Sequence, residues 1–305
     1  MPKTPAFTPK QPIEKLPLAV RKDVRDNYEA QKEESEKTIS DLLGTPFKLV
    51  LNPNEIWAYN DDTSSFRAGS VMTGYVDGFI SCLKRFIEKY EDEGKTHFNS
   101  AVTESELKVG VNPLGDKAPT IDCAVKDGVF WILFHHTSLG YNQDYIYDNI
   151  VAAIEAAPRE GMSLRAKHSI AEDWEEKIDD LKEELIGTTG ISDLILDPNF
   201  EENYKVLKAD KSDDGWEEKF GMATFEYFEY FRDNLVRQGF KGDDMLQEGL
   251  ADALTSKKFI LRVVPKITAS YNEVVLDDGA ACMQTTSDNW WVNVSQVGEG
   301  FINLL

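Results

Sequence analysis

At 305 residues, with 41% hydrophobic and 11% aromatic side chains, the chain carries enough apolar material for two packed cores, which excludes global disorder. Its net charge is −21, divided as 17 basic and 24 acidic side chains over residues 1–158 (−7) and 16 and 30 over residues 159–305 (−14). A field of this sign repels nucleic-acid phosphates and anionic lipid, so direct binding to either is disfavoured; it makes a soluble, self-repelling surface and allows a basic protein partner or mimicry of a nucleic acid.

Residues 1–17 hold five prolines and read as an extended or disordered arm with one Pro-x-x-Pro spacing, Pro9 to Pro12. A helix is expected over 18–43, where Val20, Val24 and Tyr28, then Ile39, Leu42 and Leu43, give an interrupted apolar stripe that Gly44 stops. A hairpin is expected next: strand 47–51, the turn Asn52-Pro53-Asn54, and strand 55–59. The central helix is the clearest element, with Met72, Tyr75, Val76, Phe79 and Leu83 on one face. Strands over 107–111, 121–125 and 129–137 follow, the last two joined by the hairpin turn Asp127-Gly128, and a closing helix covers 145–156.

The same order then returns. Asp41-Leu42-Leu43-Gly44-Thr45 is echoed by Glu184-Leu185-Ile186-Gly187-Thr188, and Leu51-Asn52-Pro53-Asn54 by Leu196-Asp197-Pro198-Asn199. Residues 61–113 align without a gap on 213–265, with identities such as Gly69/Gly221, Tyr75/Tyr227, Phe79/Phe231, Leu83/Leu235, Thr103/Thr255 and Pro113/Pro265. The second segment predicts a helix over 170–186, strands at 193–196 and 204–208, a central helix with Thr224, Tyr227, Phe228, Phe231 and Leu235 inward, and strands at 259–264, 273–276 and 290–297. Asp278-Gly279 repeats the turn signal, and 300–305 stands for the closing helix.

The expected fold is therefore α+β: two tandem copies of one helix-plus-antiparallel-sheet domain, order α-β-β-α-β-β-β-α, related by a pseudo-two-fold axis. The boundaries are a disordered Pro-rich arm (1–17), copy one (18–156), a linker (157–162) and copy two (163–305).

No apolar run approaches the ~18 residues of a membrane span, and the N-terminus lacks the apolar core of a signal peptide. Cys82, Cys123 and Cys282 show no metal-type spacing. Together these features suggest a reducing, cytoplasmic setting. No Gly-x-Ser-x-Gly, Walker or dinucleotide glycine pattern occurs, and no cofactor is expected.

Three constellations bear chemistry. His135-His136 closes the expected strand 129–137, where adjacent side chains point to opposite faces; either could act as a base with Asp122 or Asp144, beside Cys123. Asp210-Lys211-Ser212-Asp213-Asp214-Gly215 opens like a calcium loop, but Gly221 stands at position twelve, where a bidentate carboxylate belongs. The plainer reading of Asp210, Asp213 and Asp214 is an acidic turn capping the central helix. Trp290 and Trp291, expected on a strand, are interface candidates, because one must point outward.

The leading expectation is a non-enzymatic binding or scaffolding protein with a protein partner or a second copy of itself. Two rivals stand beside it: an enzyme or small-molecule binder with a site in one copy or between the two, and an acidic decoy for a basic, nucleic-acid-binding protein.

Overall fold

A computed structural model describes residues 7–60, 68–157, 161–211 and 215–305. The chain is mixed α/β and divides into two compact units, Met1–Glu160 and Gly161–Leu305, each with one four-stranded mixed sheet. Among the described residues, no helix is long and apolar enough to cross a membrane.

Unit 1 opens with residues 7–17, which are extended but not loose. The Ile13 N–H donates to the Asn54 carbonyl (3.1 Å), the Lys10 N–H donates to the Tyr59 hydroxyl (2.7 Å), and Leu16 is buried. These ties correct the expectation of disorder for this part of the arm. Helix α1 (Leu18–Asp23) runs through a π-helical turn (Val24–Glu29) into α2 (Ala30–Leu43), which ends on left-handed Gly44.

The short strand β1 (Lys48–Leu49) is followed not by a second strand but by α3 (Pro53–Trp57). The Asn52 side chain accepts the Asn54 N–H and caps that helix, while Pro53 takes its first position. A tripeptide suited to a turn is equally suited to a helix start, and here the cap prevails. Helix α4 (Ala68–Ala101) breaks at Glu91 (φ 46°, ψ −134°) into two arms. Strands β2 (Glu106–Val111), β3 (Ile121–Lys126) and β4 (Val129–Phe134) and helix α5 (Tyr147–Glu155) complete the unit.

Unit 2 follows the same course: α6 (Leu164–Ser169), a π-helical turn (Ile170–Glu175), α7 (Ile178–Thr189), β5 (Ile195–Asp197) and α8 (Phe200–Asp210). Then come α9 (Phe220–Arg237), α10 (Asp244–Ala253), β6 (Lys258–Val263), β7 (Asn272–Asp277) and β8 (Ala280–Thr285), and a 3-10 turn (Phe301–Leu304) where unit 1 has α5. Residues 204–208, expected as a strand, lie inside α8.

The sheets run β1-β2-β4-β3 and β5-β6-β8-β7. In each, the first three strands are mutually parallel and only the last hairpin is antiparallel. This corrects the antiparallel expectation. Replacing the expected second strand by a helix turns the return to the sheet into a helical crossover, and such a connection yields parallel strands.

Both hairpins turn on Asp-Gly with positive φ at each residue: Asp127 52° and Gly128 73°, Asp278 51° and Gly279 69°. That backbone matches the right-handed strand twist and favours glycine second. The third strand of unit 2 also departs from expectation. It begins at Ala280, directly after the turn, and 290–297 lies beyond it as loop and 3-10 turn. Ala280-Ala281-Cys282-Met283 carries little β-preference by itself; pairing with β6 and β7 places it.

Each core forms where the central helix lies on its sheet. Tyr75, Phe79, Leu83, Tyr227, Phe231 and Leu235 are fully buried. The Phe79 ring sits 5.2 Å from Phe130 of β4, and the Phe231 ring 4.9 Å from Phe259 of β6. Phe225 and Tyr230, outside the matched stripe, pack against the unit 2 core.

Candidate functional site

The strand-end residues of unit 1 do not converge. Strand β4 stops at Phe134, so strict alternation no longer governs His135 and His136, and their rings lie 4.4 Å apart at 32° instead of on opposite faces. His135 Nδ1 is 2.9 Å from the Thr137 hydroxyl, while His136 Nε2 is 3.3 Å from Asp116 Oδ1. Asp122 is bonded to amides: Oδ1 accepts from the Cys123 N–H (2.8 Å) and Asn149 Nδ2 (3.2 Å), and Oδ2 from Asn112 Nδ2 (3.4 Å). Cys123 is buried, and burial pushes its thiol well above the ordinary range, which disfavours the thiolate a nucleophile needs. Asp144 lies in a separate loop, where its carbonyl accepts the Cys82 thiol proton (3.2 Å).

Asp213 and Asp214 lie outside the described residues. Asp210 accepts a hydrogen bond from the Ser287 hydroxyl (2.8 Å). Among the described residues, no three His, Cys, Asp or Glu side chains are grouped to hold a metal ion.

Trp290 and Trp291 stand on the loop after β8. Trp290 is buried, its ring 5.7 Å from Phe220 and 5.5 Å from Tyr227. Trp291 has a left-handed backbone (φ 63°) and is half-buried. Its indole N–H donates to Glu226 Oε2 (2.6 Å), and Lys219 Nζ lies 5.4 Å from the ring centre. Its backbone N–H donates to the Tyr227 hydroxyl (3.0 Å).

That last bond belongs to a device found in both units. In unit 1 the Tyr75 hydroxyl accepts the Gly140 N–H (2.8 Å). Seven residues on, about two helical turns, the Cys82 thiol holds the Asp144 carbonyl, and at the matched position Asn234 Nδ2 holds the carbonyls of Ser295 (3.0 Å) and Val297 (2.8 Å). The central helix thus pins the loop that leaves the third long strand. Burial raises the Tyr75 and Tyr227 hydroxyls above the ordinary tyrosine range, so both stay protonated.

The two pinned loops present different surfaces. In unit 1 the helix offers Gly74 and Gly78 to the loop. A Cβ on Gly74 would stand 2.2 Å from Gln143 Oε1, and one on Gly78 2.0 Å from the Gln143 carbonyl oxygen. Gln143 Nε2 also donates to the Val71 carbonyl (2.7 Å). A surface groove of about 400 Å³ remains beside this contact, with Asp77, Ser81, Asn142 and Asp144 in its walls. Tyr141 and Tyr145, on the same loop as Asn142 and Asp144, are 57% and 73% exposed. In unit 2, Glu226, Tyr230 and Asp233 occupy the positions of Gly74, Gly78 and Ser81.

Sequence reasoning passed over this groove. Its signal was the contrast between the small residues of one helix and the large ones at matched positions of the other, with two tyrosines four residues apart in the following loop. Comparison with protein-family models, curated proteins and solved structures gives no match.

Proposed function

We propose that the chain is a non-catalytic protein-binding module that engages a basic protein partner through the pinned loop of unit 1. The observation that carries this reading is the exposure of Tyr141 and Tyr145 on a loop whose backbone is tied to the central helix and which forms, with that helix, a groove holding Asp77 and Asp144. A fixed loop loses little entropy on binding, and tyrosine supplies large contact area with few rotors. Acidic groups around aromatic faces favour lysine and arginine side chains, through charge and through cation–π contact.

The net charge of −21 supports the same partner class. Trp291 marks the corresponding loop of unit 2 and is the second contact in this reading. We also infer that the two units descend from one duplicated domain; the matched Gly, Tyr and Asp-Gly positions support this, as do the like strand orders. Three unpaired, buried cysteines suit a reducing, cytoplasmic setting.

Affinity capture from the native source followed by mass spectrometry tests the reading. The Tyr141→Ala/Tyr145→Ala double variant should keep its circular dichroism and melting temperature, yet lose a partner that the unaltered chain retains at low salt and releases at high salt. Retention of every partner by the folded double variant refutes the assignment of this surface.

A further inference from the structure

A second surface of unit 1 is already occupied by part of the chain itself. The arm touches the unit through Phe7, Pro9, Lys10, Pro12 and Ile13, and Leu16 is buried. Phe7 packs over Gly115, where a Cβ would stand 2.5 Å from the Phe7 side chain, and its ring is 5.1 Å from that of His136. Lys10 donates its N–H to the Tyr59 hydroxyl and sets its ammonium 5.2 Å from the centre of the same ring. Ile13 is held by Asn54 on both sides: its N–H donates to the Asn54 carbonyl, and its carbonyl accepts from Asn54 Nδ2 (2.5 Å). Phe7, Lys10 and Ile13 recur at the three-residue period of a polyproline II helix, and the chain bends at residues 14–15 before Leu16.

The arm covers its groove without filling it. Pro9, Lys10 and Pro12 share with Glu55, Ile56, Tyr59, Gly110, Val111 and Phe134 the walls of a half-open surface pocket of about 190 Å³. Under Phe7, His136 Nδ1 is buried with no hydrogen-bond partner, so the arm also covers a polar atom it does not satisfy.

We propose that this groove is a docking site for an extended, proline-bearing segment of another protein, with an apolar residue, a basic residue and an apolar residue at three-residue spacing, and that residues 7–16 are its built-in competitor. The chemistry of the occupant is read from the segment now in place. Tyr59 supplies an aromatic face and a hydroxyl acceptor, as in aromatic-lined grooves that read polyproline II ligands. The Tyr59 ring selects the central cation. The unfilled volume admits side chains bulkier than those of the arm. Tethering gives the arm an effective concentration on the order of millimolar, which an outside segment must exceed.

A fluorescent synthetic peptide of residues 7–16 is the probe, titrated by polarisation against the full chain. Weakening the arm with Phe7→Ala and Lys10→Ala leaves the groove walls intact and should tighten peptide binding about tenfold or more, as the intramolecular competitor is lost. Adding Tyr59→Phe, which removes the hydroxyl acceptor and keeps the ring, should reverse most of that gain while circular dichroism stays unchanged. Equal affinity for the unaltered and arm-weakened chains overturns the proposal. So does a gain that Tyr59→Phe leaves intact. Native mass spectrometry separates the remaining occupant: a concentration-dependent dimer of the unaltered chain that vanishes in the arm-weakened variant would assign the groove to exchange of arms between two copies instead.

Discussion

Gly69 meets Asp23 in two ways. Its N–H donates to Asp23 Oδ2 (2.7 Å), and its missing side chain is the space the Asp23 backbone occupies, since a Cβ would stand 2.2 Å from the Asp23 carbonyl oxygen. Gly221 repeats the arrangement with Ser169: its N–H donates to the Ser169 hydroxyl (3.0 Å), and a Cβ would stand 2.1 Å from the Ser169 carbonyl oxygen. Asp23 and Ser169 each sit immediately before a π-helical turn. A side chain from the first helix therefore caps the central helix from far away in sequence, at a crossing too close for any residue larger than glycine.

Gly69→Ala and Gly221→Ala should each destabilise their unit by about 1–3 kcal/mol through forced separation of the helices. Ser169→Ala, which removes the cap but not the fit, should cost about 1 kcal/mol. Urea unfolding followed by circular dichroism measures both, and a neutral Gly221→Ala would contradict the crossing described here.

Tyr75→Phe and Tyr227→Phe preserve the rings and delete the acceptors for the Gly140 and Trp291 N–H groups, and in Tyr227 also the hydrogen bond with Thr285. Each should cost about 1–3 kcal/mol, because a donor is left without its partner. Hydrogen exchange at the Gly140 and Trp291 amides should accelerate more than exchange in the sheet, so the effect is read at the loop itself.

Glu217 gives unit 2 an acid-sensitive tie. Burial by itself raises its carboxyl, but hydrogen bonds from Tyr204 (2.5 Å) and Lys208 (3.0 Å) prevail and hold it below the ordinary value of 4.5. The folded state then binds the proton less tightly than the unfolded state. Its stabilisation is complete above pH 4.5 and is lost as pH falls through the lowered value. Glu217→Gln should cost about 1.5–3 kcal/mol at neutral pH and flatten the decline in stability as pH falls below 4.5, relative to the unaltered chain. An unchanged acid limb in denaturant titrations at several pH values would remove Glu217 from that role.

The three cysteines should be inert in the native protein. All are buried and unpaired, and burial raises each thiol. A thiol-reactive chromophore should label none of them until denaturant is added, and then all three. Rapid native labelling of Cys123 would reopen the case for a reactive thiol beside Asp122.

The apolar stripes of the central helices were legible because burial on a helix imposes its own spacing, and Tyr75, Phe79 and Leu83 lie inward as that spacing requires. The Asp-Gly hairpins were legible because their backbone admits few residues. The matched Thr103 and Thr255 gain their reason only in three dimensions. A Cβ on Gly128 or Gly279 would strike the threonine hydroxyl at 2.2 and 2.0 Å, so turn and threonine are one packing unit in each sheet.

The residues by themselves determined which faces are buried, where the chain turns, and how acidic the surface is, because periodicity, glycine and charge act locally. They did not determine whether Asn52-Pro53-Asn54 opens a helix or a strand, since both conformations accept that tripeptide. Tertiary structure decided that point, and with it the parallel course of the sheets. It also placed Trp290 inside, left Tyr141 and Tyr145 exposed, and seated the arm on Tyr59. Each of these depends on contacts between residues distant in sequence, where no local preference reaches.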